Sequence, residues 1–110
     1  MENSNNESQS LLLDSSVVSK LSSFFKVIGD ETRVKIIYAL SKKEMCVGEI
    51  SQILNISQSA ISHQLKQLRL EGQVKARRDG KNIYYSLDDE HIVDILNQAL
   101  THIQHKLEED

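Results

Sequence analysis

The sequence predicts an α+β fold that is mostly α, with a winged helix-turn-helix at its centre. Two helices with apolar periodicity are joined by Asn55–Ile56–Ser57, a connection as short as that of a helix-turn-helix. Two β-rich runs, VKARR and NIYYSL, then flank Asp79–Gly80, which is among the strongest short hairpin signals. A hairpin after a helix-turn-helix is the winged arrangement. We expect the N- and C-terminal helices to form a dimer interface, because so short a chain has only a modest core.

Length and composition favour one domain. With 110 residues, 39% hydrophobic and 26% charged, the chain is ordinary for a globular protein. It has no run of about 18 apolar residues and no export signal, so we expect a cytoplasmic protein without a membrane partner. Its single cysteine cannot form an internal disulfide, which fits a reducing compartment. Residues 1–14, rich in Asn, Ser and Glu, are predicted to be a flexible tail, and residues 15–110 to be the domain.

The first three helices are predicted from apolar spacing. Apolar residues at three- and four-residue steps predict a helix from Val17 to Ile28, which Gly29 ends. Asp30 is a suitable cap for the second helix. The apolar residues of this second helix are Val34, Ile36, Ile37 and Leu40. A third helix is predicted over Val47 to Leu54. Its inward residues are expected to be Ile50, Ile53 and Leu54.

The helix after the turn combines a buried stripe with a face that lacks acidic residues. Ser57 is its predicted N-cap, and the expected stripe at i, i+4 and i+7 is Ile61, Leu65 and Leu68. The outer face presents hydroxyls, amides and cations, which contact base edges and phosphates in the major groove of double-stranded DNA. We therefore predict DNA binding by this helix and by cations beside the hairpin turn. The predicted DNA-binding residues are Gln58, Ser59, Ser62, His63, Gln64, Lys66, Arg69, Arg77, Arg78 and Lys81.

The charge distribution supports this prediction although the net charge is −3. Residues 57–86 contain six basic and two acidic residues, whereas residues 87–110 contain seven acidic residues and one lysine. Such asymmetry indicates a localised anion-binding face. A solvated basic surface without a partner is the alternative interpretation.

The last predicted helix, capped by Asp88 or Asp89 and running to about His105, has candidate metal ligands at both ends. His91 and His102 are eleven residues apart, which on a helix means about 20° of rotation and roughly 16 Å. Because zinc–ligand bonds measure about 2.0–2.2 Å, one ion cannot contact both on the same helix. Each end therefore supplies half of a tetrahedral site.

The two halves are Asp89 with His91 and His102 with His105. In an antiparallel pair of helices, one half from each chain would meet, giving two equal sites in a homodimer. Three imidazole nitrogens and one carboxylate suit Zn(II) or Co(II), and affinity should fall below about pH 6.5 because bound imidazole is neutral. Solvated or hydrogen-bonded histidines are the alternative interpretation. The apolar stripe expected at the seam is Ile92, Leu96, Ala99, Ile103 and Leu107.

Together these motifs resemble the ArsR/SmtB family of metal-responsive repressors, from about Ser19 to Leu107. GDETRVKIIYAL, EMCVGEI, SQSAISHQLKQLRLEG and RRDGKNIYYSL are similar to the family's second helix, third helix, recognition helix and wing. The closing helix resembles that of the zinc- and cobalt-sensing, CzrA-like subgroup. The resemblance implies a metal-free dimer that represses on operator DNA and is released by metal. Genes for zinc efflux or sequestration are the implied targets.

One departure from the family concerns the third helix. Members that sense arsenic, cadmium or lead commonly carry paired cysteines there, whereas Cys46–Val47–Gly48 holds one thiol, for which we expect a structural role. A repressor of the same family that senses a thiol oxidant through Cys46 is the alternative function. A metal-buffering or purely protein-binding dimer would not need the basic, acid-free helix.

An enzyme is not expected from this sequence. Four protein ligands leave no open position on the metal, and the sequence has no nucleophile–base pair or glycine-rich phosphate loop. We also expect no small organic ligand.

Overall fold

The computed structural model describes residues 10–109 and confirms the predicted, mostly helical winged helix-turn-helix. The elements are α1 (Ser15–Ile28), α2 (Glu31–Lys42), β1 (Met45–Cys46), α3 (Val47–Leu54), α4 (Gln58–Leu70), β2 (Val74–Asp79), β3 (Asn82–Leu87) and α5 (Glu90–Glu109). Most of the tail predicted at residues 1–14 lies outside the described residues, so it stays a prediction. None of the described helices is both long and apolar enough to cross a membrane.

The helix-turn-helix consists of α3 and α4. Asn55 reverses the chain between them by adopting a left-handed conformation, with φ 57° and ψ 47°, which asparagine tolerates better than most residues. Ser57 then caps α4 as predicted, because its hydroxyl accepts a hydrogen bond from the backbone N–H of Ala60 at 3.2 Å. The predicted stripe of α4 is fully buried and consists of Ile61, Leu65 and Leu68.

The three described strands form one antiparallel sheet in the order β1-β3-β2. The two-residue loop of the predicted hairpin is Gly80–Lys81, one residue later than the Asp79–Gly80 signal. Gly80 has φ 63°, a conformation that costs glycine little. Strand β1 was not predicted, since two residues are too few to show an alternating pattern. It pairs with β3, with Met45 opposite Tyr85.

The core lies between α2, α3, α4 and the sheet, with one contribution from α5. Its buried apolar residues are Ile36, Ile37, Leu40, Met45, Ile50, Ile61, Leu65, Leu68, Val74, Leu87 and Ile92. The expectation that Val34 and Ile53 face inward is wrong, because they are 42% and 61% exposed. In the eight-residue α3, Ile50 and Leu54 lie four residues apart and already pack against the core, which leaves Ile53 towards solvent.

An apolar groove between α1, α2 and α5 is open to solvent. It is lined by Phe24, Phe25, Ile28, Val34, Ile37, Ile92, Ile95, Leu96, Ala99, Leu100 and Ile103. No residue of α1 is buried, and in α5 only Ile92 is. Further along the predicted seam, Ile103 and Leu107 are 54% and 68% exposed. One chain therefore leaves this apolar face uncovered.

Candidate nucleic-acid interface and metal centre

The outer face of α4 presents most of the predicted DNA-binding side chains to solvent. The exposed residues of this set are Gln58, Ser59, Ser62, His63, Lys66 and Arg69. None of them is acidic, and neither Lys66 nor Arg69 pairs with an acidic residue anywhere in residues 10–109. Both cations are therefore available to phosphate oxygens.

Gln64 differs from the other predicted residues of α4. It is half-buried, and its Oε1 accepts a hydrogen bond from Nε of Arg33 at 2.8 Å. Arg33 also donates through Nη1 to the carbonyl of Val27 at 3.2 Å, so that it ties α4 to α2 and the end of α1. Of the Gln64 side chain, only the amide nitrogen remains for a DNA contact. No local signal indicates this role, since the two side chains are 31 residues apart in sequence.

In the wing, Arg77 is held by the protein itself. Its Nε donates to both carboxylate oxygens of Glu44 at 2.9 and 3.0 Å, and Nη2 donates to one of them at 2.6 Å. Its guanidinium also lies 5.0 Å from the centroid of the Tyr84 ring. The hydrogen bonds from Arg77 hold the pKa of the Glu44 carboxyl below its usual value. Arg78 and Lys81, in contrast, are exposed and form no ion pair with a described residue.

The first candidate half-site lies at the start of α5. Asp89 caps this helix, since its Oδ1 accepts hydrogen bonds from the backbone N–H of His91 at 2.9 Å and of Ile92 at 3.3 Å. Its second oxygen, Oδ2, lies 3.5 Å from Nδ1 of His91. Desolvation opposes ionisation of this carboxyl, but the hydrogen bonds from Ile92 and His91 outweigh it and lower the pKa of Asp89. The cap thus leaves an ionised oxygen beside an imidazole.

The second candidate half-site lies near the end of α5, where His102 and His105 are exposed one turn apart. The helix is continuous between the two half-sites. Within one chain, no three described Asp, Glu, His or Cys residues come close enough to hold a metal ion together. The single chain therefore presents two pairs of candidate ligands rather than one complete site.

Cys46 lies far from these pairs in sequence and adjoins the N-terminus of α3. It is half-buried, and its backbone N–H donates to Oε1 of Glu49 at 3.2 Å. That hydrogen bond, with others, lowers the pKa of Glu49. The backbone of Cys46 thus helps to start α3.

Comparison with known proteins places this geometry in a family. The profile described as "Bacterial regulatory protein, arsR family" matches residues 30–76. The chain is also 33% identical over 93 residues to the HTH-type transcriptional regulator NmtR of Mycobacterium tuberculosis, covering 84% of this chain and 78% of NmtR. The chain belongs to the ArsR family. Its relatives bear the names of transcriptional regulators, as expected for a protein that is not an enzyme.

Two further ArsR-family relatives are similar to the chain. A transcriptional repressor SmtB homolog from Synechocystis sp. is 38% identical over 85 residues, 77% of this chain and 64% of that protein. A cadmium resistance transcriptional regulatory protein, a CadC homolog from Staphylococcus aureus, is 44% identical over 79 residues, 71% of this chain and 65% of that protein. The chain therefore spans just under two thirds of the length of both relatives.

A solved ArsR-family structure supports the fold and shows how far the match extends. The solution structure of apo-NmtR superposes with a TM-score of 0.76 at 33% identity, covering 86% of this chain and 79% of that one. The family profile spans α2 to the first half of β2, including all of α4. It ends before Asp89, so it includes none of the four candidate metal ligands.

Proposed function

We propose that this chain is a metal-responsive transcriptional repressor. A metal-free homodimer binds operator DNA, and Zn(II) or Co(II) bound at α5 releases it. The observation that carries the proposal is the coexistence of two features: an acid-free, solvent-exposed face on α4 and a pair of candidate ligands at each end of α5.

The DNA-binding part of the proposal rests on α4 and the wing. Residues near the N-terminus of the second helix of a helix-turn-helix normally read bases, which assigns that role to Gln58, Ser59, Ser62 and His63. The unpaired cations are suited to phosphates. These cations are Lys66, Arg69, Arg78 and Lys81. The relative named a transcriptional repressor supports the same activity.

The metal-binding part rests on the donor set. Asp89 and His91 of one chain, with His102 and His105 of a second chain, would hold one ion by one carboxylate oxygen and three imidazole nitrogens. This set fits Zn(II) or Co(II), and the ion would supply a four-coordinate link between the chains. The exposed apolar groove supports an α5–α5 seam beside these ligands. The cadmium resistance in one relative's name supports a metal as the signal, and efflux or resistance genes as the targets.

The position of α5 supports a connection between metal and DNA. Only two residues separate β3 of the wing from the start of α5. A change in how two α5 helices meet would therefore alter the spacing of the two α4 helices on DNA. A coupling free energy of ~3 kcal/mol would lower operator affinity by about 150-fold.

Fluorescence anisotropy tests the proposal directly. A labelled fragment from upstream of the protein's own gene is titrated with metal-free protein, then with Zn(II), then with a chelator. We expect tight binding that zinc reverses and the chelator restores. His102→Ala should keep metal-free binding and lose the zinc response, whereas His63→Ala should weaken binding and keep the response.

The possible failures are distinguishable. A wild-type protein that binds the fragment equally with and without zinc would leave DNA binding intact and refute the metal response. Release of His102→Ala by zinc would refute the assigned ligands. Absence of DNA binding under all conditions would refute the repressor.

A further inference from the structure

Gln73 forms the connection between α4 and the start of α5. Its backbone N–H donates to the carbonyl of Leu68, in the last turns of α4, at 2.8 Å. Its own carbonyl accepts a hydrogen bond from the backbone N–H of Asp88 at 3.0 Å. Asp88 directly precedes Asp89, which caps α5 and is a proposed ligand. The hydrogen-bonded path from α4 to the first half-site thus passes through one residue.

The side chain of Gln73 is unusual for its position. It is 5% exposed and is the one polar side chain classed with the buried core among residues 10–109. Its Nε2 reaches the carbonyl of Glu71 at 3.4 Å, while its Oε1 has no hydrogen-bond donor in the described part of the chain. A buried acceptor without a donor is unfavourable and uncommon in folded proteins. An apolar side chain of similar length would avoid this penalty, so folding alone does not explain the amide.

We propose that Gln73 is a positioning residue that transmits ligand binding at Asp89 and His91 to α4. The inference rests on the proposed function. In the arrangement seen, Oε1 lacks a donor, which lowers the cost of moving the junction to a second arrangement in which Oε1 is paired. Metal binding selects that second arrangement, and the backbone link through Gln73 moves the end of α4 with the start of α5.

Gln73→Met tests this role, because methionine keeps the length of the side chain and both backbone hydrogen bonds while removing the amide. We expect metal-free operator affinity and zinc affinity within about threefold of the wild type. The loss of operator affinity on adding zinc should shrink at least tenfold, since the zinc-loaded variant stays on DNA. Gln67→Met, the same change at a half-buried position of α4, is the matched control and should respond like the wild type.

The outcomes separate the inference from the function on which it rests. A wild-type protein without a zinc response would refute both. A wild-type response that Gln73→Met reproduces in full would refute the role of Gln73 alone. An equal loss of response in Gln67→Met would show a general packing effect, and would refute it too.

A second measurement needs no variant and covers a failure of Gln73→Met to fold. In ¹H–¹⁵N spectra of the wild-type full chain, zinc should shift the side-chain amide of Gln73 and the backbone amide of Asp88. The side-chain amide of Gln67 should not move. Movement of the Asp89 and His91 backbone amides without movement of Gln73 would contradict the inference.

Discussion

Arg77 and Arg78 are neighbours in β2 but differ in what surrounds their charges. The guanidinium of Arg77 is bound by the Glu44 carboxylate and stacks near Tyr84, whereas Arg78 is exposed and unpaired among the described residues. A cation already paired with a carboxylate gains little from a phosphate, because it must give up one anion to bind another. Arg77 therefore acts mainly as a tie between the wing and the turn after α2.

Arg78→Ala should weaken DNA binding and reduce its salt dependence. Loss of one phosphate contact lowers the slope of log affinity against log salt by about 0.9. The double variant Arg77→Ala/Glu44→Ala removes one charge of each sign and should leave the slope nearly unchanged. Anisotropy titrations at several KCl concentrations measure both slopes. Equal reductions in the two variants would show that Arg77 reaches a phosphate as well.

The Glu44–Arg77 pair should also make stability depend on pH. Hydrogen bonding from Arg77 lowers the pKa of Glu44 below its ordinary value of 4.5. The ionised form is thus favoured in the folded state, so the stabilisation is present above pH 4.5 and is lost as the pH falls through the lowered pKa. Thermal unfolding of the wild type and Glu44→Gln should therefore differ at pH 7 and converge in acid. A difference in melting temperature that persists unchanged in acid would show that the pair is not its source.

Among the elements, α4 and the hairpin were predictable because their signals are local. A cap at Ser57, a stripe at four- and three-residue steps and an Asp-Gly turn each lie within a dozen residues. The features that were missed join distant parts of the chain: β1 with β3, Arg33 with Gln64, and Glu44 with Arg77, the last two pairs being 31 and 33 residues apart. A single sequence contains no pattern that pairs such residues. The ligand pairs of α5 were predictable from spacing, but whether two chains bring them together is a property of the dimer.

At the start of α4, the cap makes a prediction that separates stability from DNA binding. Ser57→Ala removes the acceptor for the N–H of Ala60 and should lower the free energy of unfolding by about 1 kcal/mol. Ser62→Ala, on the exposed face, should change it by less than about 0.5 kcal/mol and weaken DNA binding instead. Urea unfolding and anisotropy measure the two effects. Equal destabilisation by both variants would contradict the assigned cap.

As a whole molecule, the chain is more extended than a compact domain of its size. Its radius of gyration is 17.9 Å, whereas a compact chain of this length is expected near 13 Å. Much of α5 extends beyond the core, since most of this 20-residue helix is exposed. Exposed apolar residues on α1 and α5 indicate that a second copy completes the fold.

Ile103→Glu should therefore dissociate the dimer, because a carboxylate would have to be buried at the seam. Leu70→Glu introduces the same charge at a leucine that is 73% exposed at the end of α4, and should leave the dimer intact. Sedimentation velocity at micromolar concentration distinguishes the two. A dimeric Ile103→Glu protein would place the interface elsewhere.

The length of α5 has a genetic consequence. Since its two ligand pairs lie at opposite ends of one continuous helix, a lesion at either end should spoil both sites of a homodimer. Asp89→Ala and His102→Ala should each abolish the metal response when expressed alone. In a mixed dimer, however, one site collects both lesions and the other receives two intact halves. Co-expression should thus restore one site per mixed dimer, so that two inactive alleles complement each other.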